Sequence, residues 1–356
     1  MVFWDYAKQL KHEEITISVA PMMDWTDQHC RSFHRVLSRK VWLYTEMVTA
    51  QAILHGDQRR LLGRGFEGDR VVLQLGGSDP SALAQAAAIG ERFGYQAINL
   101  NCGCPSDRVV QGAFGACLMA SPSLVAQGVV AMKDAVGIPV TVKHRIGIDH
   151  GEDYGFVRDF VGVVGDAGCS HFIVHARNAW LDGLSPKQNR DIPPLRPEVV
   201  HRLAADFPGY AFEINGGLDS LAGGLAAAGG LAGAMFGRLA YHQPFVLSEV
   251  DAVVSRAGMP SEAHNAGYGT ATVAPGSRSE VVEAMTRYLL VRRREGVEVR
   301  HLARHMLGLY HGEPAARRWR RMLSDNAALA ANDADLLRRA RDVVEGALHE
   351  QAAEAA

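Results

Sequence analysis

The sequence predicts an α/β protein in which a (β/α)8 TIM barrel is followed by a small all-α helical domain. Eight short apolar runs recur within about 240 residues, and each run ends in glycine, asparagine, arginine or another polar residue. Alanine- and leucine-rich segments with helical spacing separate the runs, and this alternation is typical of a barrel of parallel strands. A segment rich in glycine, alanine, threonine and proline then precedes further helical patterns, which indicates a linker and a second domain.

The eight predicted strands share an apolar interior and a polar carboxyl end. They cover residues 15–20, 43–48, 71–77, 97–106, 140–145, 171–177, 211–217 and 233–238. The fourth runs from a strand into a tight turn, because Gly103 and Pro105 break the extended pattern. A doubly wound open sheet usually carries a G-x-G-x-x-G turn after its first strand. Here the first strand ends in Ala-Pro-Met-Met, so the barrel is favoured.

The predicted helices follow cap signals or show the helical period. Asp79 and Pro80 form a good cap and first-turn pair, and Ser121-Pro122-Ser123 opens another helix. The barrel helices are predicted over residues 81–93, 123–135, 154–167 and 197–205, with a short helix in the alanine- and glycine-rich stretch 221–233. Later helices are predicted from residue 279 and over 301–310, 314–323 and 334–348. These patterns predict a barrel domain over residues 1–255, a linker over 256–278 and a helical domain over 279–356.

Composition indicates a globular protein of the cytoplasm. The chain has 356 residues, 47% of them hydrophobic and 21% charged, and it has neither an apolar run long enough to cross a bilayer nor a secretory layout at its start. The five cysteines form an odd, scattered set that is typical of reduced thiols. No second Cys or His pair matches the spacing of Cys102 and Cys104, so no metal site is expected. Because no apolar run is long enough to cross a bilayer, no membrane partner is expected either.

Charge is distributed unevenly along the chain. The net charge is −2, but residues 278–321 contain eleven Arg and five Glu, and the residues from 323 onward contain three Arg against seven Asp and Glu. A basic segment joined to a near-neutral body could bind a polyanion, or it could be a solvated helix surface.

Polar or sulfur-bearing side chains follow nearly every predicted strand. Catalytic groups of such barrels lie at the carboxyl ends of the strands, so these residues would share one rim. The rim residues are Met22, Glu46, Gln74, Asn101, Cys104, Lys143, Arg145, His175, Asn215 and Arg238. A barrel does not need so many polar residues at one end in order to fold, so the rim is predicted to be a functional site.

The last two strands end in glycines that would suit a phosphate. Asn215-Gly216-Gly217 follows the seventh strand and Gly237-Arg238 follows the eighth. Loops in this position commonly hold phosphate, because glycine lets backbone N–H groups approach closely. Arg238 would add positive charge there, unless it forms a local salt bridge.

The rest of the rim would suit a flat, polar, redox-active ring. Gln74 and Lys143 offer an amide and a cation, and a nearby cation stabilises the negative charge of a reduced isoalloxazine. Lys143 could instead form a Schiff base, or pair with Glu46 or Glu213. His175 could bond to a phosphate or to the ring, or it could be a satisfied rim histidine. Cys104 could act on a bound molecule, although a free cysteine is more often structural.

The sequence resembles the tRNA-dihydrouridine synthase family, and more narrowly its A-type branch, over about residues 15–325. The matching stretches share the strand-end motifs described above and one motif in the helical domain. They cover residues 20–27, 45–49, 74–77, 99–106, 142–147, 175–177, 183–187 through Pro194, 215–217 and 304–309. The linker and the tail beyond residue 325 match no pattern of the family.

This resemblance implies an FMN-containing barrel that reduces the C5–C6 double bond of selected uridines, with NADPH as the reductant. Cys104 would be the acid that protonates C5 after hydride reaches C6, and Cys102 would only pack. Gln74 and Lys143 would contact the flavin ring. The backbone of Pro21, Met22 and Met23 would also hold the flavin, and its chain and phosphate would bind to His175, Asn215, Gly216, Gly217, Gly237 and Arg238.

The resemblance also implies tRNA as the partner and a helical domain that docks it. Asn101 would orient the uracil, and Arg145, Lys187, Arg190 and Arg304 would join it in contacting the substrate tRNA. The A-type branch implies D-loop uridines 20 and 20a, and we expect a monomer. Three other hypotheses stay open: a flavin reductase of a small pyrimidine or enone, a tRNA-binding protein with a folding role, and a Schiff-base lyase that uses Lys143.

Overall fold

Eight parallel strands close into a barrel in a computed structural model that describes residues 15–106, 112–151, 153–256 and 276–355. The strands are β1 (Thr16–Val19), β2 (Trp42–Thr49), β3 (Val71–Gly76), β4 (Ala97–Cys102), β5 (Val140–Arg145), β6 (His171–His175), β7 (Ala211–Asn215) and β8 (Gly233–Phe236). Each strand pairs with the next along the chain, and β1 pairs with β8, so every carboxyl end lies on the same rim. The predicted (β/α)8 barrel is therefore confirmed.

Helices follow most of the strands and cover the barrel. They are α1 (Gln28–Leu37), α2 (Ala50–His55), α3 (Gln58–Leu62), α4 (Pro80–Arg92), α5 (Pro122–Ala135), α6 (Tyr154–Asp166), α7 (Pro197–Asp206), α8 (Leu221–Ala227), α9 (Arg238–His242) and α10 (Val250–Arg256). Short 3₁₀ helices lie at Gly115–Ala120, Gln188–Arg190 and Pro244–Glu249. The cap predicted before α4 is present, since Asp79 Oδ1 accepts a hydrogen bond from the Ala82 N–H at 2.8 Å and Pro80 is its first residue.

The sequence patterns did not predict α1, α2, α3, α9 or α10. Four of these helices have only five to seven residues, which is too short to display a helical period. The longer α1 was missed because its buried face is largely polar: His29, Arg31, Ser32 and His34 are all buried there. The fourth apolar run ends as a strand at Cys102, directly before Gly103, where the sequence pattern predicts that the strand gives way to a turn.

A helical region follows the barrel, as predicted. Its elements are α11 (Arg278–Arg292), a 3₁₀ turn (Arg293–Glu295), α12 (Val299–Met306), α13 (Ala316–Leu323), α14 (Asn326–Ala330) and α15 (Leu336–Ala355). Ser277 and Glu280 form a capping box that begins α11, so Arg278 is helical although the linker was predicted to extend to it. Residues 257–275, which make up most of the predicted linker, lie outside the described residues.

Polar contacts between α1 and the helical region join the two parts of the chain. Asp27, which caps α1, accepts hydrogen bonds from Arg304 at 2.5 Å and from His305 at 3.1 Å. One step further along α1, Gln28 accepts from Arg292 at 3.0 Å, and His29 Nδ1 lies 2.7 Å from the Tyr288 hydroxyl. These contacts place the basic helices beside the carboxyl rim, because α1 directly follows the loop after β1.

Candidate active site

The turn after β4 holds Cys104 at the barrel mouth. The Asn101 side-chain oxygen accepts hydrogen bonds from the N–H groups of Gly103 and Cys104, both at 3.0 Å. The Cys104 carbonyl accepts from the Ala116 N–H at 2.9 Å. The thiol is half-buried and lies 3.5 Å from the Ser106 hydroxyl. Cys102, by contrast, is fully buried in the hydrophobic core, which agrees with its predicted packing role.

Arg145 holds the same turn from its other side. Its Nε donates to the Gly103 carbonyl at 3.0 Å, and one terminal nitrogen donates to the carbonyls of Asn178 and Asn189, both at 2.8 Å. Arg145 is buried, and burial lowers the pKa of its guanidinium to about 10. Arg145 therefore ties the Cys104 turn to the loop after β6, and it uses three hydrogen bonds to do so.

Gln74 lies beside the turn, two residues before Gly76, the last residue of β3. It is buried, and its side-chain oxygen accepts from Asn101 Nδ2 at 2.8 Å. Its side-chain nitrogen donates to Asn99 Oδ1 at 2.8 Å. Each end of the amide therefore has one internal partner and can make one further hydrogen bond.

Lys143 bonds to an amide and not to a carboxylate. Its Nζ donates to Asn215 Oδ1 at 3.0 Å, and Asn215 in turn donates to the Met235 carbonyl at 2.8 Å. Within the described part of the chain Lys143 forms no ion pair with Glu46 or Glu213, so those alternatives are not observed. Burial, with the like charge of Arg145, lowers the pKa of Lys143 to about 7. The ammonium is left with two N–H donors for a ligand.

Glu46 lies within β2 and not at its last residue, but its side chain reaches the rim, because it contacts the loop that follows β1. It sits at a break in the register between β2 and β3, three residues before Thr49, the last residue of β2. Its carboxylate accepts from the Asp24 N–H at 2.6 Å, and burial raises its pKa. Glu46 therefore anchors the loop after β1.

That loop carries Pro21, Met22 and Met23, the residues expected to offer backbone contacts. The Met22 N–H donates to the Thr26 hydroxyl at 2.9 Å, and the Met22 carbonyl accepts from the Thr26 N–H at 2.9 Å. Both backbone groups of Met22 are therefore used inside the loop, and Pro21 has no N–H to offer. Met23, whose side chain is 54% exposed, has no such internal bond among the described residues.

The glycines after β7 are required by the geometry there. Gly216 and Gly217 have φ values of +109° and +69°, which strain other residues. A Cβ on Gly216 would lie 2.5 Å from the His175 ring, and one on Gly217 would lie 2.6 Å from the Leu195 side chain. Within the described residues, the backbone N–H groups of Gly216, Gly217 and Gly237 have no acceptor. We call these three glycines the cradle; their free donors would suit an anion, and the phosphate site that the sequence predicts here stays a prediction.

Positive charge surrounds this cradle. Arg238 pairs with Asp191 at 2.9 Å, so the local salt bridge considered from the sequence is present, but both side chains stay nearly half exposed. The His175 ring has no hydrogen-bond partner among the described residues, and burial and the nearby Arg145 and Lys143 hold its pKa well below 6.5. A neutral imidazole with a free ring nitrogen is thus left facing the cations.

The loop after β6 presents Lys187 and Arg190 to solvent. Between them, Asn189 is fully buried, and its amide bonds to both backbone groups of Trp180, at 2.8 Å each. Arg304, the predicted tRNA contact in the helical region, is 45% exposed at its side chain but already paired with Asp27. Sequence reasoning missed Asn189, and the only available signal was its place between the two exposed cations.

Neither a metal-binding cluster nor a membrane-spanning helix is found among the described residues. Among the described residues, no group of three or more His, Cys, Asp or Glu side chains could hold a metal ion. No helix in the described ranges is both long enough and apolar enough to span a bilayer.

Comparison with known proteins gives matches over most of the chain. The family model described as "Dihydrouridine synthase (Dus)" matches residues 18–345. A Synechocystis sp. protein named tRNA-dihydrouridine(20/20a) synthase is 51% identical over 324 residues, which are 91% of this chain and 93% of that protein. Proteins with the same name from Escherichia coli K12 and Xanthomonas campestris are 49% and 47% identical. The matches cover 92% of this chain and 91% of the E. coli protein, and 88% of this chain and 89% of the Xanthomonas protein.

The family model covers most of the chain, and relatives of nearly equal length are about half identical to it. They also agree with the barrel and with the strand-end motifs on which the sequence resemblance rested. This chain belongs to the dihydrouridine synthase family.

Proposed function

We propose that this protein reduces the C5–C6 double bond of uridine in tRNA to give 5,6-dihydrouridine, with bound FMN as cofactor and NADPH as reductant. The targets are D-loop uridines 20 and 20a, as in the names of the relatives. The observation that carries the proposal is a half-buried thiol, Cys104, held on a doubly anchored turn at the barrel rim. A cytoplasmic location and a monomeric state belong to the same proposal.

The rim residues fit a flavin mononucleotide. The unpaired N–H groups of Gly216, Gly217 and Gly237, with Arg238, suit its phosphate. The loop that carries Pro21 and Met23 lies next to Gly237, because β1 pairs with β8 and the sulfur of Met22 lies 3.8 Å from where a Cβ on Gly237 would stand. Lys143 has two free N–H donors and Gln74 has one free donor and acceptor, which suit the carbonyl and nitrogen edge of the ring. Asn215 orients Lys143, and His175 offers a free ring nitrogen. When bound and reduced, FMN supplies the hydride for C6 of the uracil.

Cys104 supplies the proton for C5. Hydride addition at C6 leaves the electron pair of the former double bond on C5 and the adjoining carbonyl, so one proton completes the reduction. The S–H bond of Cys104 breaks, the new C–H bond forms at C5, and the thiolate takes a proton back from solvent before the next turnover. Asn101 has one amide N–H left after bonding to Gln74, and that donor can orient the uracil carbonyl.

The surface around the rim suits a polyanion. Lys187 and Arg190 are exposed on the loop after β6, and Arg145 ties that loop to the Cys104 turn. On the other side, Arg304 and the exposed arginines of α13 face solvent from the helical region. Phosphate contacts of this kind position RNA, and the target base must leave the tRNA fold in order to reach a barrel mouth.

The competing hypotheses lose support at specific residues. A Schiff-base lyase needs no thiol turn and no glycine cradle, although the lowered pKa of Lys143 alone would suit it. A reductase of a small pyrimidine would not need the exposed cations of the loop after β6 or of the helical region. A purely tRNA-binding protein would not need Cys104.

The test measures dihydrouridine in unmodified tRNA after incubation with the purified protein, FMN and NADPH. We expect product from the wild-type protein, and a loss of roughly 100-fold or more in Cys104→Ala, because general acids contribute that much to rates. Cys117→Ala is the matched control, since Cys117 is the other partly exposed thiol among the described residues. Absence of product from the flavin-loaded wild type would refute the proposal, and free uracil reduced as fast as tRNA would favour the small-substrate reductase.

A further inference from the structure

A row of buried side chains runs from the Cys104 turn into the barrel. It starts at Asn101 on β4, passes to Gln74 on β3, returns to Asn99 on β4 and ends at Thr141 on β5. The side-chain bonds joining them are 2.8 Å from Asn101 to Gln74, 2.8 Å from Gln74 to Asn99 and 2.9 Å from Asn99 to Thr141. The Thr141 hydroxyl then donates to the Ile98 carbonyl at 3.2 Å. All four side chains are buried.

Every bond in this row points in the same direction. At the rim, the Asn101 oxygen must face the turn, because Gly103 and Cys104 present two N–H donors to it. Its nitrogen must then donate to the oxygen of Gln74, whose nitrogen must donate to the oxygen of Asn99. At the inner end, Thr141 can accept from Asn99 because its own proton is given to the Ile98 carbonyl. Rotating any one amide would place two donors or two acceptors against each other.

We propose that Asn99 and Thr141 are positioning residues that hold Gln74 and Asn101 in the one amide orientation that the site requires. Neither residue lies at the barrel mouth, so each acts only through its neighbours. Hydrogen bonds in a buried row strengthen one another, and a member without a partner is costly there. Loss of the inner partners therefore loosens the Cys104 turn and the amide that Gln74 presents to the mouth.

The test compares variants that break the row at different depths. Thr141→Val removes the hydroxyl with little change in shape, Thr141→Ser keeps it, and Asn99→Ala breaks the row one step nearer the turn. Thr286→Val is the matched control, because Thr286 is also fully buried and its hydroxyl also donates to a carbonyl, that of Val282 at 2.8 Å, but in the helical region.

The first measurement is amide hydrogen exchange at Gly103 and Cys104 by NMR, in the full-length flavin-loaded protein. We expect exchange at these two amides to be about threefold or more faster in Thr141→Val, and faster still in Asn99→Ala, since a net hydrogen bond is worth about this factor or more. Thr141→Ser and Thr286→Val should match the wild type. Equal exchange in Thr141→Val and Thr286→Val would overturn the inference.

The second measurement is the rate of dihydrouridine formation, which rests on the proposed function. We expect kcat to fall about threefold to tenfold in Thr141→Val while KM for tRNA changes less than about twofold, because the phosphate contacts are untouched. Thr141→Ser should restore the rate. An unchanged kcat in Thr141→Val would contradict the inference, whereas a wild-type protein without activity would refute the proposed function and leave the exchange measurement to decide this one.

Discussion

Acid should destabilise this protein through histidines that are buried without charge. His29, His34 and His144 are buried, and burial lowers their pKa values from 6.5 to about 4, about 3 and about 4. Between pH 6.5 and 4 the unfolded chain binds a proton at each of these positions and the folded protein does not. The free energy of unfolding therefore falls as the pH drops through this window, by about 1.4 kcal/mol per pH unit for each histidine.

His144 is the best position at which to test this reasoning. Its Nδ1 lies 2.6 Å from the Arg145 carbonyl, so Nδ1 carries the proton, and its Nε2 is buried between Phe160 and Phe172 without a partner in the described structure. A leucine there cannot titrate. Because His144 is protonated at pH 5 only in the unfolded chain, it should make the free energy of unfolding roughly 2 kcal/mol lower at pH 5 than at pH 8. His144→Leu should remove that part of the pH dependence.

The assay is urea unfolding of the wild type and of His144→Leu at pH 8 and pH 5, with equal flavin content. The variant should lose about 1 kcal/mol at pH 8, from the missing hydrogen bond, yet its loss of stability between pH 8 and pH 5 should be smaller than that of the wild type by about 2 kcal/mol. His201→Leu, at an exposed position, is the control and should keep the wild-type difference. The same pH difference in His144→Leu and in the wild type would refute the reasoning.

Three further predictions concern the other charged groups. Asp27→Asn keeps the cap of α1 but removes the charge that faces Arg304 and His305, so the free energy of unfolding in urea should fall by about 1–2 kcal/mol. The control is Asp325→Asn, at a helix cap for which the described structure shows no ion pair, and it should lose less than about 0.5 kcal/mol. Arg190→Ala and Lys187→Ala should each weaken tRNA binding and reduce its salt slope by about one, whereas Arg158→Ala, an exposed arginine of α6 that is paired with Asp159, should not. Because burial lowers the pKa of Lys143 to about 7, flavin affinity measured by fluorescence should fall as the pH rises from 6 to 8, and Lys143→Arg should flatten that fall. An affinity that rises over this range would contradict the role given to the ammonium.

The fold could be predicted from the sequence because its signals are local and repeated. An apolar run predicts each strand. The helical period or the cap residues predict each long barrel helix, as Asp79 and Pro80 do for α4. The helix α1 could not be found in this way. Most of its buried side chains are polar, and distant partners satisfy some of them, such as Glu67 for Arg31 and Tyr288 for His29.

At the candidate site, the sequence predicts which residues lie at the rim but not which residues they bond to. The strand-end residues could be named from the sequence, because the barrel brings all carboxyl ends to one rim. Their hydrogen-bond partners could not be predicted. Lys143 bonds to Asn215 and not to a carboxylate, and Arg145 donates three hydrogen bonds to backbone carbonyls. Asn189 and Thr141 were missed because a buried amide or hydroxyl has no sequence pattern of its own.

The central claim is tested most directly by mapping dihydrouridine, nucleotide by nucleotide, in an unmodified tRNA treated with the flavin-loaded protein and NADPH. The account predicts dihydrouridine at positions 20 and 20a, and its loss when Cys104 is replaced by alanine. Dihydrouridine at other positions would contradict the assigned target. The same product from Cys104→Ala at the wild-type rate would contradict the assigned acid.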